Sequence, residues 1–370
     1  MKKKDKFKVG IIGCGRVASL LEHDRLRGHP CTHAGAYAAV DETRIVAGCD
    51  INEDRLQIFG EEWGVKALYE DYRQMLECEE LDIVSICTWG DTHAEITIAA
   101  AEAGVAGIIC EKPIALSLIE ADRMIEAVER CNTRLVINHE RRWSSNYHKA
   151  KELIQDGAIG ELRLINANVI GGGQGYFWTN ETSPLILESY TIVRDGTHLM
   201  DMLTFLSGEP DWVIGLVDME IYQEGLFVPD IAHGIIHFKN GHIASVEASG
   251  GRDYFNFELD IQGSNGRILI GNEALAMWEA DVSPRYEGFR ELAQRPFPAP
   301  SKQKNIFIGG VQDVICCIKK GKESISSGHE ARMALEMIMA IYESARLGGI
   351  KVEIPLQNLE SPLEIMLGQI

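Results

Sequence analysis

A glutamate, a lysine and a proline, Glu111-Lys112-Pro113, end the apolar run Gly107-Ile108-Ile109-Cys110. Proline neither donates to a sheet ladder nor continues a helix, so a strand stops there. The two charges then stand at the lip of a sheet, where α/β proteins bind ligands. A lysine serves as proton donor and acceptor when desolvation and a nearby cation lower its pKa toward working pH. The alternative is a solvated charge pair at a strand end. A second cluster, "VGIIGCGRVA", reads as a strand followed by Gly13-x-Gly15-x-x-Ala18 opening a helix, with Arg16 and Val17 inside the turn. The first glycine permits the tight turn, the second lets a pyrophosphate approach the backbone, and Ala18 allows close helix–strand packing. Asp50 closes the second apolar run, where a carboxylate accepts ribose hydroxyls. It would repel a 2′-phosphate, and no arginine follows it at once, so NAD is favoured over NADP. Asp50 could instead cap the next helix. It lies further from the glycines than the usual ~20 residues, as if "EHDRLRGHPCTHAG" (22–35) were inserted. The helical pattern "RDGTHLMDML" opens with Asp195, which could cap the helix, and His198, which could pack within it.

These residues need a scaffold, and the apolar periodicity supplies one. Strand runs at Phe7–Ile12, Arg44–Cys49, Leu81–Cys87, Gly107–Cys110 and Arg134–Ile137 alternate with helical patterns such as Thr92–Ala103 and Ser117–Cys131. Such alternation implies a parallel, doubly wound sheet over residues 1–138. After a helix near Asn146–Ile154 and a strand at Leu162–Ile170, the pattern changes to long successive strands from Asp211 onward. Lys239-Asn240-Gly241 and Ser264-Asn265-Gly266 are hairpin turn signals. Residues 139–370 therefore read as an α+β domain with a large, mostly antiparallel open sheet, closed by helices near Ile308–Lys319 and His329–Leu347.

The 370 residues, 45% hydrophobic and 25% charged, suffice for two domains with real cores. A formal charge of −19 argues against nucleic acid or an anionic membrane surface as partner. No apolar run reaches the ~18 residues of a membrane span, and the basic N-terminus lacks the apolar stretch of a signal peptide. Nine irregularly spaced cysteines, without any C-x-x-C pair and with Cys316 and Cys317 adjacent, suggest buried thiols in a reducing cytoplasm and no metal site.

With the glycines, Asp50, "CTWGDTHAE", "CEKP", "GAIGEL" and "RDGTHLMDML" in this order, the chain resembles the glucose–fructose oxidoreductase/inositol dehydrogenase/rhizopine-catabolism oxidoreductase (Gfo/Idh/MocA) family over nearly its whole length. The resemblance implies an N-terminal NAD-binding Rossmann domain and a C-terminal domain for substrate binding and oligomerisation. It implies cofactor contacts from Gly13, Gly15, Arg16, Val17, Asp50, Thr88, Trp89, His93, Glu111 and Lys112. Lys112 would handle the substrate hydroxyl's proton, with Glu111 orienting it or touching the nicotinamide ribose, and His198 would be the second proton-handling group. The family helix start has the form Asp-x-Gly-x-His, but Arg194 stands at the Asp position and an aspartate at 195. Either Arg194 meets an acidic group on the substrate, or the helix start is slipped and Asp195 does the usual work. Trp89-Gly90 replaces the usual Pro-Asn, so an indole could stack on the nicotinamide or a sugar face, or simply join the core. Glu188-Ser189-Tyr190 replaces a frequent glycine run, and Tyr176, Trp178 and Tyr190 could line a polyol pocket or serve only packing. Arg142, beside Arg141, could hold a substrate carboxylate or hydroxyls. The implied function is an NAD-dependent dehydrogenase of a sugar, sugar derivative or cyclitol, acting as a cytoplasmic homodimer or homotetramer. The rivals are an NAD-dependent glycosidase and a non-catalytic dinucleotide-binding sensor.

Overall fold

The computed structural model describes residues 6–171, 191–222, 226–250, 252–300, 302 and 305–366. The apolar runs of the first part form β1 (Phe7–Ile12), β2 (Thr43–Cys49), β3 (Ala67–Tyr69), β4 (Ile83–Ile86), β5 (Gly107–Cys110) and β6 (Arg134–Ile137). They pair in parallel in the order β3-β2-β1-β4-β5-β6, which puts the topological switch point between β1 and β4. The intervening helices are α1 (His33–Ala39), α2 (Glu53–Trp63), α3 (Tyr72–Cys78), α4 (Gly90–Glu102) and α5 (Leu118–Cys131). In α5, Ser117 caps the first turn by accepting from Glu120 N, and Leu118, Ala121, Ile125 and Val128 form the buried stripe.

The chain divides into two compact units, Met1–Ser144 with Lys304–Arg332, and Ser145–Gln303 with Met333–Ile370. An unbroken boundary at 138/139 does not describe this division. The reason lies in β5: a Cβ on Gly107 would come within 2.7 Å of Val314 Cγ2, so the glycine admits helix α9 (Ile306–Lys320) against the sheet. Val311, Val314 and Ile315 of that helix share one core with Ile109, Val136 and Trp143.

The second unit contains α6 (Ser145–Gln155), β7 (Leu162–Ile170), the one-turn α7 (Thr191–Arg194), α8 (Gly196–Ser207), β8 (Pro210–Tyr222), β9 (Leu226–Phe238) and β10 (Ile243–Ser249). Strands β11 (Asn256–Gly263), β12 (Gly266–Gly271), β13 (Leu275–Val282) and β14 (Arg290–Arg295) follow. Helix α10 (Gly328–Arg346) carries the chain from the first unit back to the second, where β15 (Val352–Glu353) and α11 (Pro362–Met366) end it. The nine strands form one sheet, β14-β13-β12-β11-β7-β10-β9-β8-β15, in which only β10 and β7 pair in parallel. One face is covered, with Ile341 of α10 lying on Gly215 and Gly234. The other presents Leu216, Ile235 and Ile243 to solvent at 64%, 45% and 38% exposure. Among the described residues no helix is long and apolar enough to cross a membrane.

Candidate active site

At the switch point, Gly13 N donates to Cys49 O at 2.7 Å, which turns the chain off β1 across the end of β2. Gly13 has φ +83°, and a Cβ there would stand 2.7 Å from Cys87 O, so the fold itself requires this glycine. Gly15 differs: among the described residues, no atom beyond its own chain neighbours lies within 4 Å of where its Cβ would be, and its φ is not in the left-handed region. Internal packing gives no reason for a glycine at 15, whereas close approach of a ligand phosphate does. Gly15→Ala is therefore expected to leave the urea midpoint at or slightly above wild type and to weaken NADH binding by about tenfold or more. Fluorescence titration of NADH checks this, and unchanged affinity would remove Gly15 from the site.

The expected helix after the glycines is interrupted. One turn closes with Ser19 N donating to Gly15 O at 3.1 Å, and residues 19–32 then leave as a loop with a short 3-10 turn at Leu20–His23. The helix resumes as α1, with His33 N donating to Val17 O at 3.1 Å and Ala34 N to Ala18 O at 2.9 Å. The inserted segment thus lies between Ala18 and His33, a few residues before the 22–35 read from spacing, and Arg16 and Val17 sit half-buried at its root.

Asp50 is buried at the end of β2, with Oδ2 accepting from Cys14 N at 2.7 Å and Oδ1 from Asn52 N at 2.8 Å. It does not cap α2, because Asn52 does so through Arg55 N. One donor on each oxygen leaves roughly one further lone pair apiece, the acceptor pair that a vicinal diol fits. Across the switch point, Thr88 Oγ1 accepts from Thr92 Oγ1 at 2.8 Å, and Trp89, 41% exposed, precedes α4. The indole is not core.

Glu111 follows β5, and its burial alone would raise its pKa. A hydrogen bond from His33, the charges of His33 and Lys112, and a hydrogen bond from Asn138 overcome that and hold it at about 2. Its Oε1 accepts from His33 Nε2 at 2.8 Å and Asn138 Nδ2 at 2.5 Å, and its Oε2 from Lys112 N at 3.3 Å. His33 Nδ1 in turn lies 3.0 Å from Ser85 Oγ, which meets Tyr37 OH at 2.8 Å. None of His33, Ser85, Tyr37 and Asn138 stands out from spacing. The available signals were a lone hydroxyl inside the buried strand β4 and a histidine opening an alanine-rich helix. Lys112 is half-buried, between this network and Pro113.

Two expected ligand contacts are instead braces. His93 is wholly buried, with Nδ1 2.8 Å from Pro113 O and Nε2 3.2 Å from Thr88 O. Both ring nitrogens face backbone carbonyls, so His93 ties the Glu-Lys-Pro turn to the Thr88 turn and has no ring nitrogen left for a cofactor. Burial lowers its pKa despite the two carbonyls. Arg142 is 3% exposed and donates to Ile325 O at 2.8 Å and Glu330 Oε2 at 2.7 Å, which ties Ile325 and the first turn of α10 to the turn after β6 within the first unit. These two contacts serve the fold. In the second unit, Asp195 stands at the N-cap of α8 without a side-chain capping bond. Its Oδ2 accepts from Arg194 Nε at 3.1 Å, so arginine and shifted aspartate form one ion pair, and His198 is buried one turn on. Tyr176, Trp178 and Tyr190 lie outside the described residues.

A family model described as "Oxidoreductase family, NAD-binding Rossmann fold" (GFO_IDH_MocA) matches residues 7–139, and a "GFO/IDH/MocA C-terminal domain" model matches 147–269. The chain is similar to a D-apiose dehydrogenase of Paraburkholderia graminis, 28% identical over 96% of this chain and 92% of the relative. It is also 28% identical to a myo-inositol 2-dehydrogenase of Thermotoga maritima, over 89% of this chain and 93% of the relative. Its fold matches the WlbA dehydrogenase of Bordetella pertussis, solved with NADH and UDP-GlcNAcA, with TM-score 0.77 and 22% identity over 96% and 99% of the two chains.

Proposed function

Since this chain belongs to the GFO/IDH/MocA oxidoreductase family, we propose that it is an NAD-dependent dehydrogenase acting on a hydroxyl of a sugar, sugar derivative or cyclitol. The observation that carries the reading is the switch point. There an open Gly15 and an Asp50 with one acceptor position left on each oxygen fit a pyrophosphate and an unphosphorylated ribose. When bound, NAD supplies the hydride acceptor. Lys112 takes the proton from the substrate hydroxyl as that carbon becomes a carbonyl, and His198 is the second proton-handling group. The exposed Trp89 offers a stacking face for the nicotinamide or a sugar ring. Glu111 holds the Lys112 backbone from below and stays ionised in doing so.

Arg194 neutralises Asp195 in the present arrangement, and a substrate bearing a carboxylate would compete with Asp195 for the guanidinium. Acidic sugars therefore belong in the substrate panel. We also assign the chain to a reducing cytoplasm, since its nine cysteines are all free thiols. It would act there as a homodimer or homotetramer: Leu216, Ile235 and Ile243 make an apolar patch on the open sheet face that a second copy would cover.

The test is a panel of inositols, aldoses and uronates with NAD or NADP, followed by NADH absorbance and product analysis. The expected result is oxidation of one member, with NAD preferred. Hydrolysis of a glycoside without accumulated NADH would replace the dehydrogenase by a glycosidase. Tight NADH binding with no turnover on any member would make the chain a sensor.

A further inference from the structure

The segment that interrupts the first helix carries donor chemistry that the oxidoreductase reading leaves unused. Glu22 Oε1 lies 3.1 Å from His29 Nδ1, and Cys31 Sγ lies 3.8 Å from the same nitrogen. The three ligand atoms all fall within 4.8 Å of one another. Around a tetrahedral zinc ion the edges between ligand atoms are about 3.3 Å for nitrogen to oxygen and about 3.5 Å for nitrogen to sulfur. The loop therefore presents a carboxylate, an imidazole and a thiol at nearly the spacing such an ion imposes. Oxygen, nitrogen and sulfur donors together suit zinc better than magnesium or calcium.

The carboxylate is also aimed. Glu22 Oε2 accepts from Thr32 Oγ1 at 2.7 Å and from Cys31 N at 3.1 Å, which turns Oε1 toward the imidazole. Helix α1 makes room for it: a Cβ on Gly35 would stand 2.5 Å from Glu22 Oε2. Hydrogen bonds of this kind, made to the oxygen that does not meet the metal, are what orient a carboxylate ligand. Cys31 is buried while His29 reaches the surface, so an ion has both a fixed thiol and a way in.

We propose that residues 22–31 form a zinc-class metal site with Glu22, His29 and Cys31 as its three protein ligands and water in the fourth position. The proposal goes beyond the oxidoreductase reading and does not depend on it. On binding, Cys31 gives up its contact to Leu21 O, 3.1 Å away, and releases its proton to solvent as the sulfur–metal bond forms. Burial and the Glu22 charge both favour the thiol in the metal-free protein; a divalent cation reverses that preference.

The full-length protein, stripped with a chelator and titrated with Co2+, tests this. One equivalent is expected to bind with a thiolate-to-cobalt charge-transfer band and the visible bands of a four-coordinate ion, both bleached by one equivalent of Zn2+. Cys31→Ser should abolish the charge-transfer band. Since Cys31 is buried, His29→Lys is the second variant: lysine keeps an ion pair with Glu22 but deletes a ligand. It should lower cobalt affinity by more than about 10³-fold, beyond the ~10–100-fold lost when a residue only orients a ligand. No absorption at stoichiometric Co2+, a charge-transfer band that survives Cys31→Ser, or a loss of no more than ~100-fold in His29→Lys each overturns the site. The trio would then be only a histidine–carboxylate pair beside a buried thiol.

Discussion

Lys112→Ala is expected to lower turnover on the identified substrate by about 10²-fold or more, the usual size of a lost general acid or base, with NAD affinity within a few-fold of wild type. The two effects separate because the lysine's backbone is held independently of its side chain. Glu111 Oε2 accepts from Lys112 N, and Pro113 O is fixed by His93 Nδ1. Truncating the side chain leaves those braces and the glycine turn in place. The adenosine end of the proposed site would rest on Asp50 and Gly15, on other strands and turns. Steady-state kinetics together with NADH titration read both quantities. Turnover within a few-fold of wild type would show that the Glu-Lys-Pro lysine is not the proton-handling group.

That turn was legible because its signal is local: β5 runs Gly107–Cys110 as the apolar pattern predicts, and proline ends it. The same holds for β1, β6 and β7, whose apolar runs coincide with the observed strands. What the pattern could not show are partners distant in the chain. The break after Ala18 is mended by His33 N reaching back to Val17 O, a hydrogen bond across the whole inserted loop. Arg142 and Arg141 are adjacent and look alike in sequence. Only the fold shows that Arg142 is spent on Ile325 and Glu330, 183 and 188 residues away. The family resemblance makes His93 a cofactor contact, yet the two carbonyls that claim it come from turns after β4 and β5. Helix α9 belongs to the first unit for the same kind of reason, since Gly107 and Val314 meet only when the chain has returned.

Glu111→Gln is expected to destabilise the first unit by about 3 kcal/mol at neutral pH, the cost of leaving buried donors to an ionised carboxylate unsatisfied. The carboxylate accepts on both oxygens, from His33, Asn138 and Lys112 N. A carboxamide can accept on one side only and would set its NH2 against one of those donors, leaving buried groups unsatisfied. The pH dependence gives the loss a signature. Glu111 is held at about 2 against an ordinary 4.5, so its folded-state value is depressed. The stability it contributes is fully present above about 4.5 and is lost as pH falls toward 2, because the unfolded chain takes up the proton first. That gap corresponds to about 3 kcal/mol at neutral pH, in line with the cost of the substitution. Urea midpoints of wild type and variant should therefore be far apart at pH 7 and converge as pH is lowered through 4 to 3. His33→Ala, which removes a partner while sparing the carboxylate, should destabilise in the same direction but leave the protein still sensitive to acid through residue 111. A Glu111→Gln protein as stable as wild type at pH 7, or a gap that does not narrow in acid, would mean that the buried carboxylate does not anchor the turn that presents Lys112.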